Sequence, residues 1–255
     1  MQKKEKSKGR KIFHKDREKT ENIGVLFYPS CAHIFKDVFY SEIMQGLEEH
    51  LTEANHNLLL AGYDLSTLNQ DLPKFIREGT VDGVIMLGGC PDDFKKKLIE
   101  IKIPCLMLDT EISNVAIDSV TSDGFRAMID MVEYLHSCGH QKVMMFRHNY
   151  DNYNESYRCL GFEEESFRLE LDAAVMKAVD NDDAVDQIIA SLGSTHPVTA
   201  VCTVNDDISA DIMKRLRKRG VSVPEDVSIT GFDDTEFSKT TTPPFLTSAK
   251  VDKQS

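Results

Sequence analysis

The chain has 255 residues, 41% hydrophobic and 28% charged, with a formal net charge of −12. That length and composition suit a soluble globular protein with one large domain or two smaller ones. No apolar run approaches the roughly 20 residues that span a bilayer, so no membrane partner is expected. The Lys-rich N-terminus is followed by no apolar stretch, so it does not read as a secretory signal and a cytoplasmic location is expected.

Charge is unevenly placed. Residues 1–20 hold nine Lys/Arg and three acids, a net of +6, which leaves −18 for the rest. So acidic a body is a poor nucleic-acid surface. Residues 1–21 read as a basic linker or tail, able to touch phosphates but too polar to fold alone. The six cysteines (31, 90, 105, 138, 159 and 202) form no CxxC pair, and Cys105 and Cys202 lie in apolar runs. Reduced thiols acting as small hydrophobes are expected.

From Asn22 onward apolar β-rich runs alternate with amphipathic helices. The runs lie at 23–27, 57–63, 82–87, 105–109, 142–146, 173–179, 200–204 and 227–233. They are continuous rather than alternating, as in parallel strands buried on both faces. Helical periodicity is plainest over 38–54, 123–138 and 206–219, the last two followed by Gly139 and Gly220. The alternation predicts an α/β fold with two doubly wound parallel sheets. The pattern breaks over 111–122, predicting a first lobe of 22–112 plus a small part after 240, and a second of 113–240.

In doubly wound sheets, ligands sit at the carboxyl ends of strands. Arg158, early in the helix after the 142–146 strand, could fork onto a diol or carboxylate, with Asn154 one turn before it. Its rival role is a surface ion pair with Glu163 or Glu164. Asp206 opens the helix after the 200–204 strand, where capping and ligand contact can coexist. Asn205 reads as a turn residue. Phe39 and Tyr40 could cover a ligand with an aromatic face, although Phe39 could equally pack under its sheet. His136 and His140 are spaced i, i+4, but Gly139 interrupts them and no third metal ligand is in register, so no metal is expected. The acidic runs 163–165 and 180–183 read as solvated helix surface. No GxSxG, P-loop or GxGxxG is present, so binding without turnover is expected, with no cofactor.

Several segments in order resemble the lac/gal repressor family of transcription regulators. They are VDGVIMLGG (81–89), IPCLMLD (103–109), Val120-x-x-Asp123, Tyr134-Leu135-x-x-x-Gly139-His140 and Arg158-x-x-Gly161-Phe162. Pro197-x-Thr199-Ala200, Asn205-Asp206, GVSVPEDVSITGFDD (220–234) and Pro244-x-Leu246-Thr247 follow. The resemblance implies the effector-binding domain of such a regulator, with the periplasmic-binding-protein-like type I fold. It implies a sugar or nucleoside bound in a cleft between lobes, a homodimer, and operator DNA held through a helix-turn-helix module absent from this chain. It makes Arg158, Asp206, Phe39, Tyr40 and Asn154 the expected ligand residues, with Asp123 structural or gating. Gly124 departs from the family's usual Asn. The chain also ends before segments the family uses to complete its lobes, and so reads as C-terminally truncated. An exported solute receptor of the same fold and an α/β enzyme on a small polar metabolite are the alternatives.

Overall fold

The computed structural model describes residues 18–28, 36–62, 72–88, 96–97, 99–100, 102–110, 117–148, 153–240 and 245–253. They divide into two compact units, 1–121 with 253–255, and 122–252.

The first unit holds a parallel five-stranded sheet. Its strands are β1 (Asn22–Tyr28), β2 (Asn57–Gly62), β3 (Gly83–Gly88), β4 (Cys105–Leu108) and β5 (Asp118–Val120), in the order β2-β1-β3-β4-β5. Helices α1 (Val38–Glu53) and α2 (Lys74–Arg77) accompany it. Side chains alternate across β1. Leu26 meets Ile76, Val84 and Met107, whereas Val25 and Phe27 meet Ile43 and Leu87. Both faces are therefore apolar, which is why the runs lack a period of two.

The second unit repeats the plan. Its strands are β6 (Lys142–His148), β7 (Asp172–Ala178), β8 (Ala200–Thr203), β9 (Ser228–Asp233) and β10 (Thr247–Lys250), all parallel, in the order β10-β9-β8-β6-β7. Between them run α3 (Gly124–Ser137), α4 (Tyr153–Arg168), α5 (Asn181–Leu192), α6 (Asp206–Lys218) and α7 (Glu236–Thr240). Val143 and Met145 pack with Met128, Met131 and Phe162 from α3 and α4. Met144 and Phe146 pack with Val185, Ile188, Ile212 and Leu216 from α5 and α6. Helices α3 and α6 end where Gly139 and Gly220 take φ of +92° and +80°, a region costly for any residue with a Cβ.

The unit boundaries differ from the expected ones, at 121 and 252 rather than 112 and 240. The strand β5 pairs with β4 through Leu106↔Asp118 and Leu108↔Val120, which holds 118–120 in the first unit. The strand β10 pairs with β9 through Thr247↔Thr230, which holds it in the second. Both strands are short and largely exposed, so neither leaves an apolar run. No helix among the described residues is long and apolar enough to cross a membrane.

The four described cysteines are free, with Cys159 and Cys202 buried and Cys105 partly so. Burial pushes the thiols of Cys105 and Cys159 up to about 11 and that of Cys202 to about 12, so they stay protonated and act as hydrophobes. Cys31 and Cys90 lie outside the described residues.

Candidate functional site

In each unit the strand order reverses once, at β1/β3 and at β6/β8. Chain leaving the carboxyl ends on either side of such a reversal diverges and opens a crevice, the usual ligand position in this topology.

At the β6/β8 reversal stands Arg158. It projects from α4 and is only 6% exposed. Its Nη1 donates to the carbonyl of Val204, just past β8, and its Nη2 donates to Asp233 Oδ1 at 3.3 Å, at the end of β9. The guanidinium carbon lies 3.7 Å from the Phe232 ring centroid. Buried Nε has no hydrogen-bond partner among the described residues. Gly124 makes room for the arginine stem, since a Cβ there would lie 3.0 Å from Arg158 Cγ. Asp233 carries φ of +98°, the kind of strain that persists where surrounding contacts fix it. The expected rival, a surface pair with Glu163 or Glu164, is replaced by this buried pair. The charge run at 163–165 is likewise not all solvated, because Glu165 is buried and accepts from Arg168 Nε at 2.8 Å. Asp180, in the second acidic run, caps α5 by accepting from the Asp183 N–H.

Asp206 is fully buried. Its Oδ1 accepts from Ser248 Oγ at 2.6 Å, and its Oδ2 accepts from the Thr235 N–H at 2.7 Å and Thr235 Oγ1 at 3.1 Å. It thus ties α6 to the segment after β9 and to β10. The cap of α6 is instead Asn205, whose Oδ1 accepts from the Ile208 N–H at 3.0 Å. Asn205 takes the cap because it is the last extended residue (φ −158°), while Asp206 is already helical. Asn154 is half-buried in the first turn of α4. Asp123 caps α3 through the Arg126 N–H at 2.9 Å. His140 Nδ1 lies 2.9 Å from Thr199 Oγ1.

Burial raises the Asp206 carboxyl above its ordinary value, against the pull of its hydrogen bonds to Ser248 and Thr235. The folded chain therefore holds this proton more tightly than the unfolded chain does. What Asp206 contributes to stability then falls as pH rises from the ordinary carboxylate value through the raised one. Urea unfolding of the wild type and Asp206→Asn between about pH 4 and about pH 7 checks this. The wild type's advantage should be greatest in acid and shrink with rising pH, while acids common to both proteins cancel.

In the first unit, Phe39 and Tyr40 open α1. Tyr40 packs edge-on against Phe27 at 4.9 Å and Phe39 at 5.3 Å, and its hydroxyl donates to Asp109 Oδ2 at 2.9 Å. Asp109 follows β4 with φ of +58°. Phe39 packs partly against the core, and Lys253 Nζ lies 5.6 Å from its ring.

Asp233, Asp109, His148 and Glu155 are the carboxyl-end residues that sequence reasoning passed over. The two aspartates each close an apolar run, a signal that could have found them. Glu155 stands three residues before Arg158, hence on the same helix face. Nothing in the sequence marks His148.

A family model described as a periplasmic binding protein-like domain matches residues 132–255. Catabolite control protein A of Priestia megaterium is 28% identical over 243 residues, covering 91% of this chain and 70% of its own length. The ribose operon repressor of Haemophilus influenzae is 25% identical over 236 residues, 89% of this chain and 69% of its own. The HTH-type transcriptional repressor CytR of Escherichia coli is 28% identical over 225 residues, 84% of this chain and 64% of its own. This chain thus spans about two thirds of the length of these relatives. Among solved structures, a transcription regulator-like protein from Staphylococcus haemolyticus has a TM-score of 0.81 at 19% identity, covering 92% of this chain and 87% of that one. The transcriptional regulator CelR in complex with cellobiose has a TM-score of 0.80 at 21% identity, covering 92% and 74%. The named repressors are regulators rather than enzymes, in line with the expectation of binding without turnover. Residues 132–255 thus match a periplasmic binding protein-like domain, and over most of its length the chain is similar to transcriptional repressors and regulators.

Proposed function

We propose that this domain senses a polyhydroxyl small molecule of the sugar or nucleoside class and so controls operator binding by the full-length protein. The observation that carries this reading is the mounting of Arg158 at the β6/β8 reversal, with one guanidinium nitrogen on a backbone carbonyl and another on the Asp233 carboxylate. A diol oxygen can exchange for either partner, and Asp233 can accept a ligand hydroxyl in return. Phe232 holds the fork flat, which limits the entropy lost on binding. Asn154, in the first turn of α4, offers a further polar contact in the same unit. Asp206 acts by fixing the segment after β9 rather than through a spare lone pair. The cellobiose complex of CelR supports a sugar as the class of ligand.

Binding controls DNA only if it moves the segment that leads to a DNA-binding module. The entry to β1 is well anchored for this. Asp82 accepts from the Thr20 N–H at 2.8 Å, Thr20 Oγ1 at 3.0 Å and the Glu21 N–H at 2.8 Å. Operator contact through a helix-turn-helix module, a homodimer matching operator symmetry, and a cytoplasmic location complete the proposal. A thermal-shift screen with D-glucose, cellobiose, D-ribose and adenosine tests it. A ligand at 100 times its Kd adds about 2.7 kcal/mol, or roughly 5–10 °C in Tm. At least one compound should raise Tm, and the rise should vanish in Arg158→Lys, which keeps charge but loses the fork. No rise with any compound would contradict the proposal.

A further inference from the structure

We infer that His148 is a specificity-determining residue of this site, held in place by Glu155. The inference rests on the proposed reading of the site and adds a residue to it.

His148 is the last residue of β6, on the carboxyl side of the reversal. Both oxygens of Glu155 are spent on it. Oε1 lies 2.9 Å from the ring Nδ1, and Oε2 accepts from the His148 backbone N–H at 3.1 Å. The Glu155 side chain is 7% exposed, but the imidazole keeps 30% of its surface. A carboxylate accepts and does not donate, so Nδ1 carries the proton and Nε2 is the acceptor nitrogen of the ring. A buried acid thus fixes the backbone, ring plane and tautomer of a side chain that is itself partly open, as positioning residues do for ligand-contacting histidines.

The register places the end of β6 near the Val204 carbonyl that Arg158 grips. Phe146 pairs with Thr203, so Arg147 stands opposite Val204, and His148 lies one residue further out. Neighbouring strands are about 4.8 Å apart with a rise of about 3.3 Å per residue. Val204 offers the carbonyl that Arg158 grips. A ligand ring held by Arg158 at this carbonyl would lie about one strand spacing from the end of β6 that carries His148. Glu155 and Arg158 are three residues apart on one buried face of α4, so the helix positions both contacts together. At that distance Nε2 contacts a second hydroxyl of the sugar, and the position of that hydroxyl on the ring determines which epimer fits.

Calorimetric titration of D-glucose, D-galactose, D-mannose and D-ribose into wild type, His148→Ala, His148→Gln and Glu155→Gln tests this. For the best-bound sugar, His148→Ala should weaken binding about five- to tenfold, the worth of one ligand hydrogen bond. It should also flatten the wild type's preference among the hexose epimers. His148→Gln should restore part of the loss, and Glu155→Gln should shift the preference the same way. Unchanged affinities and preference in His148→Ala, with binding lost in Arg158→Lys, overturn the role of His148 and leave the sugar site standing. A lowered Tm with preference intact also overturns it, since the pair would then only close the turn between β6 and α4. Failure of every sugar to bind the wild type overturns both.

Discussion

Replacing Arg158 by Ala is expected to cost the second unit about 3–5 kcal/mol, a fall in its Tm of roughly 6–20 °C. The side chain is buried, and so is the Asp233 carboxylate it faces. Truncation leaves that acid without its cation, strands the Val204 carbonyl and empties the space over Phe232. The loss far exceeds that of an exposed pair such as Arg126–Asp130, whose side chains are about 60% exposed and worth at most about 1 kcal/mol. Urea unfolding followed by circular dichroism measures it. The double variant Arg158→Ala/Asp233→Ala should be less unstable than the sum of the two single changes, because the uncompensated charge is gone. Strict additivity would mean that the pair does not couple.

Gly161→Ala should be nearly as damaging, by about 3 kcal/mol. A Cβ on Gly161 would lie 2.2 Å from the Phe125 carbonyl oxygen and 3.0 Å from its carbon. These are backbone atoms, so no rotamer relieves the clash and α3 must move away from α4. Phe125 follows Gly124, the residue that makes room for the Arg158 stem, so the displacement also disturbs the arginine. Gly193→Ala is the control. A Cβ there meets nothing nearer than 3.7 Å, and its φ of −78° suits any residue. It should be neutral, or stabilising by about 0.4–1 kcal/mol through the unfolded chain. A Gly161→Ala protein with the stability of Gly193→Ala would show that the two helices can separate freely.

Strands with an unbroken apolar run were easy to read, whether buried on both faces like β3 and β8 or half-exposed at an edge like β2 and β7. All eight runs became strands, and α1, α3 and α6 end within about two residues of their expected limits. The edge strands β5 and β10 were invisible because Asp118-Ser119-Val120 and Thr247-Ser248-Ala249-Lys250 bury little, and missing them misplaced both boundaries. Arg158 could be singled out from its place after a strand and its motif. Its partner could not, since Asp233 is 75 residues away and only the folded sheet brings β8 and β9 beside α4. Asp206 shows the opposite limit. Its position at a helix start was legible, but three donors from Thr235 and Ser248 converge on it only after β10 has joined the sheet.

The most direct test of a sugar-sensing domain is a crystal structure with whichever compound raises Tm most. The expected result is a ligand oxygen within hydrogen-bond distance of the Arg158 guanidinium, with its Val204 or Asp233 partner exchanged. A ligand bound elsewhere, with both of those contacts intact, would contradict the account.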